Sequence, residues 1–241
     1  MPLSEIHPSF SYSNNPEQQK SIDEYNKLDD SERRDRGFYR NFSIEDVVKV
    51  GQRVIVQAFK DERGTKGASF TTYVSVSSRY YVLMPVGEKS VGISRKIENS
   101  EERSRLREIM NTVERRSLGN KYNIVLRTAS QEASEQDLFK DYNFVVNIWE
   151  KIAKSVKIND KPCILYKSSN IISQVFRDHY ISGSDVIVDK AMLSLVLKTL
   201  DEFPVFSKHL VTEYKNKSMD LFDKFNVNTL INNLYSCLLY T

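Results

Sequence analysis

The chain has 241 residues, 40% of them hydrophobic, enough for one large domain or two small ones. Its 13 Tyr, 12 Phe and single Trp argue against wholesale disorder. Cys163 and Cys237 are far apart and have no partner at metal-ligand spacing, which argues against a disulfide framework or a zinc site and fits a reducing cytoplasm. No run approaches the roughly 18 apolar residues of a membrane span, and the first ten residues lack a signal-peptide layout, so a soluble, cytoplasmic chain is expected. The net charge of +3 conceals a polarity. Residues 31–130 hold 20 Lys/Arg against 12 Asp/Glu, while the remainder sums to five negative charges. One region suited to a polyanion and another that needs only solubility would give this distribution.

In chain order, residues 1–10 form a short extended piece, and the polar stretch 11–36 has almost no periodic hydrophobics. It reads as part of a surface insertion spanning 11–43. From Val47 the texture changes to strand, loop and strand: Val54 to Phe59, then Lys60-Asp61-Glu62-Arg63-Gly64-Thr65-Lys66-Gly67, then a run to Val76 rich in Thr, Phe, Tyr and Val. A third strand at 80–84 stops at Pro85. Asn99 followed by Glu102 predicts a helix start, and Leu106, Ile109, Met110 and Val113 repeat at helical spacing. A strand at 123–126 precedes a longer helix whose Leu138, Tyr142, Val145, Trp149, Ile152 and Val156 form one apolar stripe, read as core.

After Asn159-Asp160-Lys161-Pro162 the elements alternate: strand 163–166, helix 170–176, strand 186–188, helix 190–200, strand 210–214. Such alternation predicts an α/β unit. The expected fold class is therefore mixed α+β and α/β, with a β-rich, basic part before about residue 160 and an α/β part after it.

Five runs in series resemble the ribonuclease E/G family: Gly51-Gln52-Arg53-Val54-Ile55-Val56-Gln57, Lys60-Asp61-Glu62-Arg63-Gly64-Thr65-Lys66-Gly67-Ala68, Tyr81-Val82-Leu83-Met84-Pro85, Gly92-Ile93-Ser94-Arg95 and Leu126-Arg127-Thr128-Ala129. The likeness begins at Pro2-Leu3-Ser4-Glu5-Ile6 and continues through Ser169-Asn170-Ile171-Ile172, Phe176-Arg177-Asp178 and Leu221-Phe222. It implies an internal piece of a bacterial single-strand-specific endoribonuclease. Residues 1–85 would be a partial OB-fold RNA-binding barrel of the S1 type, carrying the insertion. Residues 86–158 would be a domain that senses a 5′-monophosphate, and 159–241 part of an RNase H-like domain.

By the same resemblance, Arg95 and Arg127 would contact the terminal phosphate, with the Thr128 hydroxyl adding a donor. Guanidinium groups make charge-assisted, often bidentate bonds to phosphate oxygens. The backbone near Ser78 and the side chain of Val82 would hold the terminal nucleotide. The family usually has Gly where this chain has Ser78. Lys60, Arg63 and Lys66 on the hairpin loop read as RNA-backbone contacts, with solvated loop charges as the even alternative. Tyr73 and Tyr80 could stack bases, although strand aromatics are more often core.

In the family, cleavage depends on Mg2+ held by aspartates in a later nuclease-like domain, and a zinc-binding cysteine motif beyond it joins subunits into an oligomer. Neither motif is found in this chain. Asp178, Asp185 and Asp189 read as turn and cap residues, not as a two-metal site. The chain alone is thus expected to bind single-stranded, 5′-monophosphorylated RNA without cutting it. The alternative is a stand-alone, non-catalytic RNA-binding protein.

Overall fold

A computed structural model of the chain describes residues 1–7, 19, 20, 22–24, 27, 43–86, 89–116, 122–167, 170–181, 183–206 and 210–238. It divides into two compact units, Met1–Leu165 and Tyr166–Thr241. The class is mixed α/β, as the element pattern predicts. Among the described residues the strands form small sheets and no closed barrel. No described helix is long and apolar enough to cross a membrane. Most of the insertion 11–43 lies outside the described residues, but Ile22 within it is fully buried.

The first unit begins with Leu3–Glu5 in a 3-10 turn and a one-turn helix α1 (Ile44–Val47). The strand-loop-strand reading becomes an antiparallel hairpin, β1 (Gln57–Lys60) with β2 (Ser69–Thr71), irregular in register between Ala58 and Lys60. The expected strand through Val76 is broken. Residues 76–77 form a separate strand, β3 (Val76–Ser77), which pairs with β4 (Tyr81–Met84) in another sheet. That sheet has the order β3-β4-β6-β5, with β5 at Val91–Ile93 and β6 at Asn123–Leu126. The pair β5-β6 is parallel, the others antiparallel. The sheet therefore crosses the sequence-based division at residue 85.

Alternation orients the sheet. In β4, Tyr81 and Leu83 are fully buried while Val82 and Met84 are only partly so, and β6 buries Ile124 and Leu126 in the same way. These residues join Leu106, Met110 and Val113 of helix α2 (Ser100–Arg116) and Leu138, Tyr142 and Val145 of helix α3 (Glu135–Ile158) in one apolar cluster. Each such aliphatic burial contributes about 1.5–3 kcal/mol. Asn99 caps α2, its Oδ1 accepting the Glu101 and Glu102 N–H groups. Ser134 caps α3, its Oγ accepting the Asp137 N–H at 3.1 Å. Local caps and apolar periodicity thus place both helices, and the sheet supplies the surface they cover.

The second unit pairs β7 (Val186–Val188) with β8 (Val211–Glu213) in parallel. Its helices are α4 (Ile171–Asp178), α5 (Lys190–Leu200), α6 (Leu221–Lys224) and α7 (Val227–Leu238). Phe176, Val196 and Leu200 are its buried centre, flanked by Tyr180 and Phe206. The strand expected at 163–166 does not form. Cys163, Ile164 and Tyr166 are exposed there, and no described strand offers them a ladder. An apolar run becomes a strand only where a partner satisfies its backbone.

Candidate functional site

One end of the four-stranded sheet gathers several chain segments. β5 and β6 run parallel and finish together, with Ile93 opposite Leu126. Ser94 N–H donates to the Leu126 carbonyl at 2.9 Å, so Arg95 and Arg127 each come directly after one of the two bonded residues. β4 starts at this same end, with Tyr81 opposite Leu126. The β3-β4 connection closes there through Ser78 N–H to the Tyr81 carbonyl at 2.9 Å, leaving Arg79 and Tyr80 at its tip. Thr128 opens a 3-10 turn, Thr128–Glu132, for which Arg127 is the capping residue. Val82 pairs across with Ser77 and Val125, on the sheet face that turns away from the apolar cluster.

Two bonds tie Arg127 to the β3-β4 connection. The Arg127 N–H donates to the Tyr80 carbonyl at 2.8 Å and its Nη1 to the Ser78 carbonyl at 2.8 Å. Arg95 is exposed in the turn after β5, where Ile97 N–H donates to the Ser94 carbonyl. Arg103 of α2 steadies that turn, its Nη1 donating to the Ser94 and Ile97 carbonyls at 3.1 Å each. Arg105, paired with Glu102 at 2.9 Å, reaches the Gln131 carbonyl at 2.8 Å and so fixes the Thr128 turn. Arg95, Arg127 and Thr128 thus follow the ends of neighbouring strands, and guanidinium and hydroxyl groups are donor types that suit a phosphate.

Beneath the β3-β4 tip lies Asp141 of α3, with no solvent exposure. Its Oδ2 accepts the Ser78 hydroxyl and the Tyr80 N–H, each at 2.7 Å. Its Oδ1 is buried with no hydrogen-bond partner among the described residues. Burial raises its pKa to about 6, against the opposing pull of Ser78, the backbone of Tyr80 and Arg79, and the nearby Arg127 charge. Burial also pushes the Tyr81 phenol up, and its hydroxyl faces Met110 Sδ at 3.3 Å.

Of the residues singled out in the sequence, Ser78, Val82, Arg95, Arg127 and Thr128 fall on this sheet end or its outer face. Lys60, Arg63 and Lys66 sit elsewhere, on the exposed β1-β2 hairpin. Arg63 and Lys66 exchange backbone hydrogen bonds around Gly64, whose φ of 60° supplies the left-handed turn. Lys60 lies over the Phe59 ring at 5.7 Å. Tyr73 is exposed and stands edge-on to His7, whereas Tyr80 is partly buried. Asp189 caps α5 through the Met192 N–H at 2.8 Å, and Asp178 pairs with Arg177 at 2.9 Å.

Asp141, Arg103 and Arg105 were not singled out in the sequence. A signal for Asp141 does exist. It stands three residues after Leu138 and four before Val145, a charged residue on the apolar stripe of α3, and such a position demands a buried partner.

A model described as the ribonuclease E/G family matches residues 75–238. Among similar proteins, a putative ribonuclease E of Buchnera aphidicola subsp. Baizongia pistaciae is 40% identical over 63% of this chain and 36% of its own length. Ribonuclease E of Escherichia coli strain K12 is 39% identical over 57% of this chain and 12% of its own. Ribonuclease G of Salmonella typhimurium is 30% identical over 80% of this chain and 39% of its own. The chain thus spans between about an eighth and two fifths of the length of these relatives.

Proposed function

Because the chain belongs to the ribonuclease E/G family, we propose that it supplies RNA binding and 5′-end recognition to an endoribonuclease acting in RNA processing and decay. The observation that carries this reading is the meeting of Arg127, Thr128, the Arg95 turn and the Ser78 turn at one sheet end, within the segment that the family model matches. A 5′-terminal monophosphate would accept from Arg127, Arg95 and the Thr128 hydroxyl, and the first nucleotide would lie against Val82 on the outer sheet face. The hydroxyl that separates Ser78 from the family's usual glycine is turned inward to Asp141, away from that face.

In this reading the 5′-end domain draws β3 and β4 into its sheet. The part before them is what remains of an OB-like barrel, and residues from about 159 onward belong to an RNase H-like fold. Lys60, Arg63 and Lys66 contact the RNA backbone by charge alone. The catalytic Mg2+ of the family has no fitting donor set here: among the described residues no three His, Cys, Asp or Glu side chains converge. No step of phosphodiester hydrolysis is therefore assigned to them, and the purified chain is expected to bind RNA without Mg2+-dependent cleavage. Cleavage by it would refute that expectation.

The test uses two single-stranded RNAs identical except for a 5′-monophosphate or a 5′-hydroxyl. The chain should prefer the monophosphate, and Arg127→Ala should erase roughly tenfold or more of that preference, the worth of a charge-assisted hydrogen bond. Equal affinity for both ends in the unaltered chain would end the reading.

A further inference from the structure

Two of the bonds that hold Arg127 end on residues held by a single carboxylate oxygen. Arg127 Nη1 donates to the carbonyl of Ser78, whose hydroxyl donates to Asp141 Oδ2. Arg127 N–H donates to the carbonyl of Tyr80, whose own N–H donates to that same oxygen. We propose that Asp141 is the positioning residue of the 5′-phosphate site: by pinning the 78–80 turn from beneath, it sets the Arg127 guanidinium in place to meet the phosphate. The proposal rests on the end-binding reading above and adds to it a residue that touches no RNA.

Two further observations support it. The β3-β4 connection is tight, yet its tip, Arg79-Tyr80, contains no glycine, and neither residue has positive φ. Two-residue hairpin tips normally rely on left-handed residues to match the strand twist, so this one needs an outside support. Asp141 is fully buried on the apolar stripe of its helix with Oδ1 lacking a partner among the described residues, a costly arrangement, and its other oxygen is given wholly to the 78–80 turn. A long arginine side chain otherwise loses its freedom on meeting the phosphate, and prior ordering removes that loss.

The experiment measures the affinity ratio for the two RNA ends, together with amide hydrogen exchange at Arg127. Asp141→Ala should lower the ratio roughly fivefold or more and speed exchange at Arg127, while Leu83 and Ile124 stay protected. Asp141→Asn keeps an accepting oxygen for Ser78 and Tyr80 and should rescue most of the ratio. An unchanged ratio in folded Asp141→Ala overturns the proposal. So does an equal loss in Asp141→Asn, which would make charge and not the pinned turn the cause. Should Asp141→Ala fail to fold, Ser78→Ala removes one of the two bonds on Oδ2 and must give a partial loss; no loss overturns the proposal. If the unaltered chain shows no end preference, the end-binding reading falls, and Arg127 exchange alone then decides whether Asp141 sets that residue.

Discussion

The β1-β2 hairpin and the far sheet end both present cations, yet they are built on opposite principles. On the hairpin, Lys60, Arg63 and Lys66 are exposed on a two-stranded ribbon, and its loop closes through its own backbone bonds around Gly64. At the sheet end, every loop that carries a candidate contact is gripped from below by a charged side chain of a helix: Asp141 under the Ser78 turn, Arg103 under the Arg95 turn, Arg105 under the Thr128 turn. On the function proposed above, the first design would attract any phosphate chain, and the second would tell one end group from another. Charge without fixed geometry yields salt-sensitive affinity, whereas fixed geometry yields discrimination.

The largest effect expected from this difference is on stability. The Asp141 pKa of about 6 lies above the ordinary carboxylate value of the unfolded chain, so between about pH 4 and 6 the folded state keeps a proton that the unfolded state has lost. Stability from this group is fully present at low pH and is lost as pH rises through 6, a loss on the order of 3 kcal/mol. Trp149, the single tryptophan, packs against the first unit's core and reports its unfolding. Denaturant titrations followed by its fluorescence should show the decline in the unaltered chain and a flatter profile in Asp141→Asn. An unchanged profile in that variant would mean that Asp141 does not titrate in this window.

A smaller effect separates the two regions directly. Replacing Lys60, Arg63 and Lys66 together with Ala should weaken both RNA ends equally and reduce the log-log salt slope by about 2, from roughly 0.7 per phosphate contact on a single strand. Loss of the end preference in this triple variant would erase the distinction between hairpin and sheet end.

The smallest effect concerns the outer sheet face. A Cβ on Gly92 would stand 3.1 Å from Val125 Cγ2, beside the strand that carries Val82. Gly92→Ala should change stability by less than about 1 kcal/mol, since the tight methyl contact offsets the gain from a less flexible unfolded chain. It should move the Val125 methyl resonances in NMR spectra, and unmoved resonances would show that the face has room to spare.

Much of the fold was legible because its signals are local. Asn99 and the spacing of Leu106, Met110 and Val113 announced α2, and the Leu138 to Ile152 stripe announced α3. The span 186–188 was expected as a strand and 190–200 as a helix, and both formed. The failures share a cause. β5 is three residues long with Gly92 at its centre, carries no periodicity, and exists because β6 lies alongside it. The run at 163–166 has strand composition and no partner strand. The single strand expected through Val76 divides because its two parts pair with different neighbours, β1 on one side and β4 on the other.

The sequence by itself determined the family likeness, four of the helices (α2, α3, α4 and α5) and the residue types able to meet a phosphate, since motif order, caps and apolar periodicity are written within a few turns of chain. Only the tertiary structure decided which residues orient Arg127. The bonds to Asp141 join residues 63 and 61 positions apart, and the unpartnered Oδ1 is defined by the protein packed around it. Burial and distant hydrogen bonds are properties of the folded surroundings, and no local pattern encodes them.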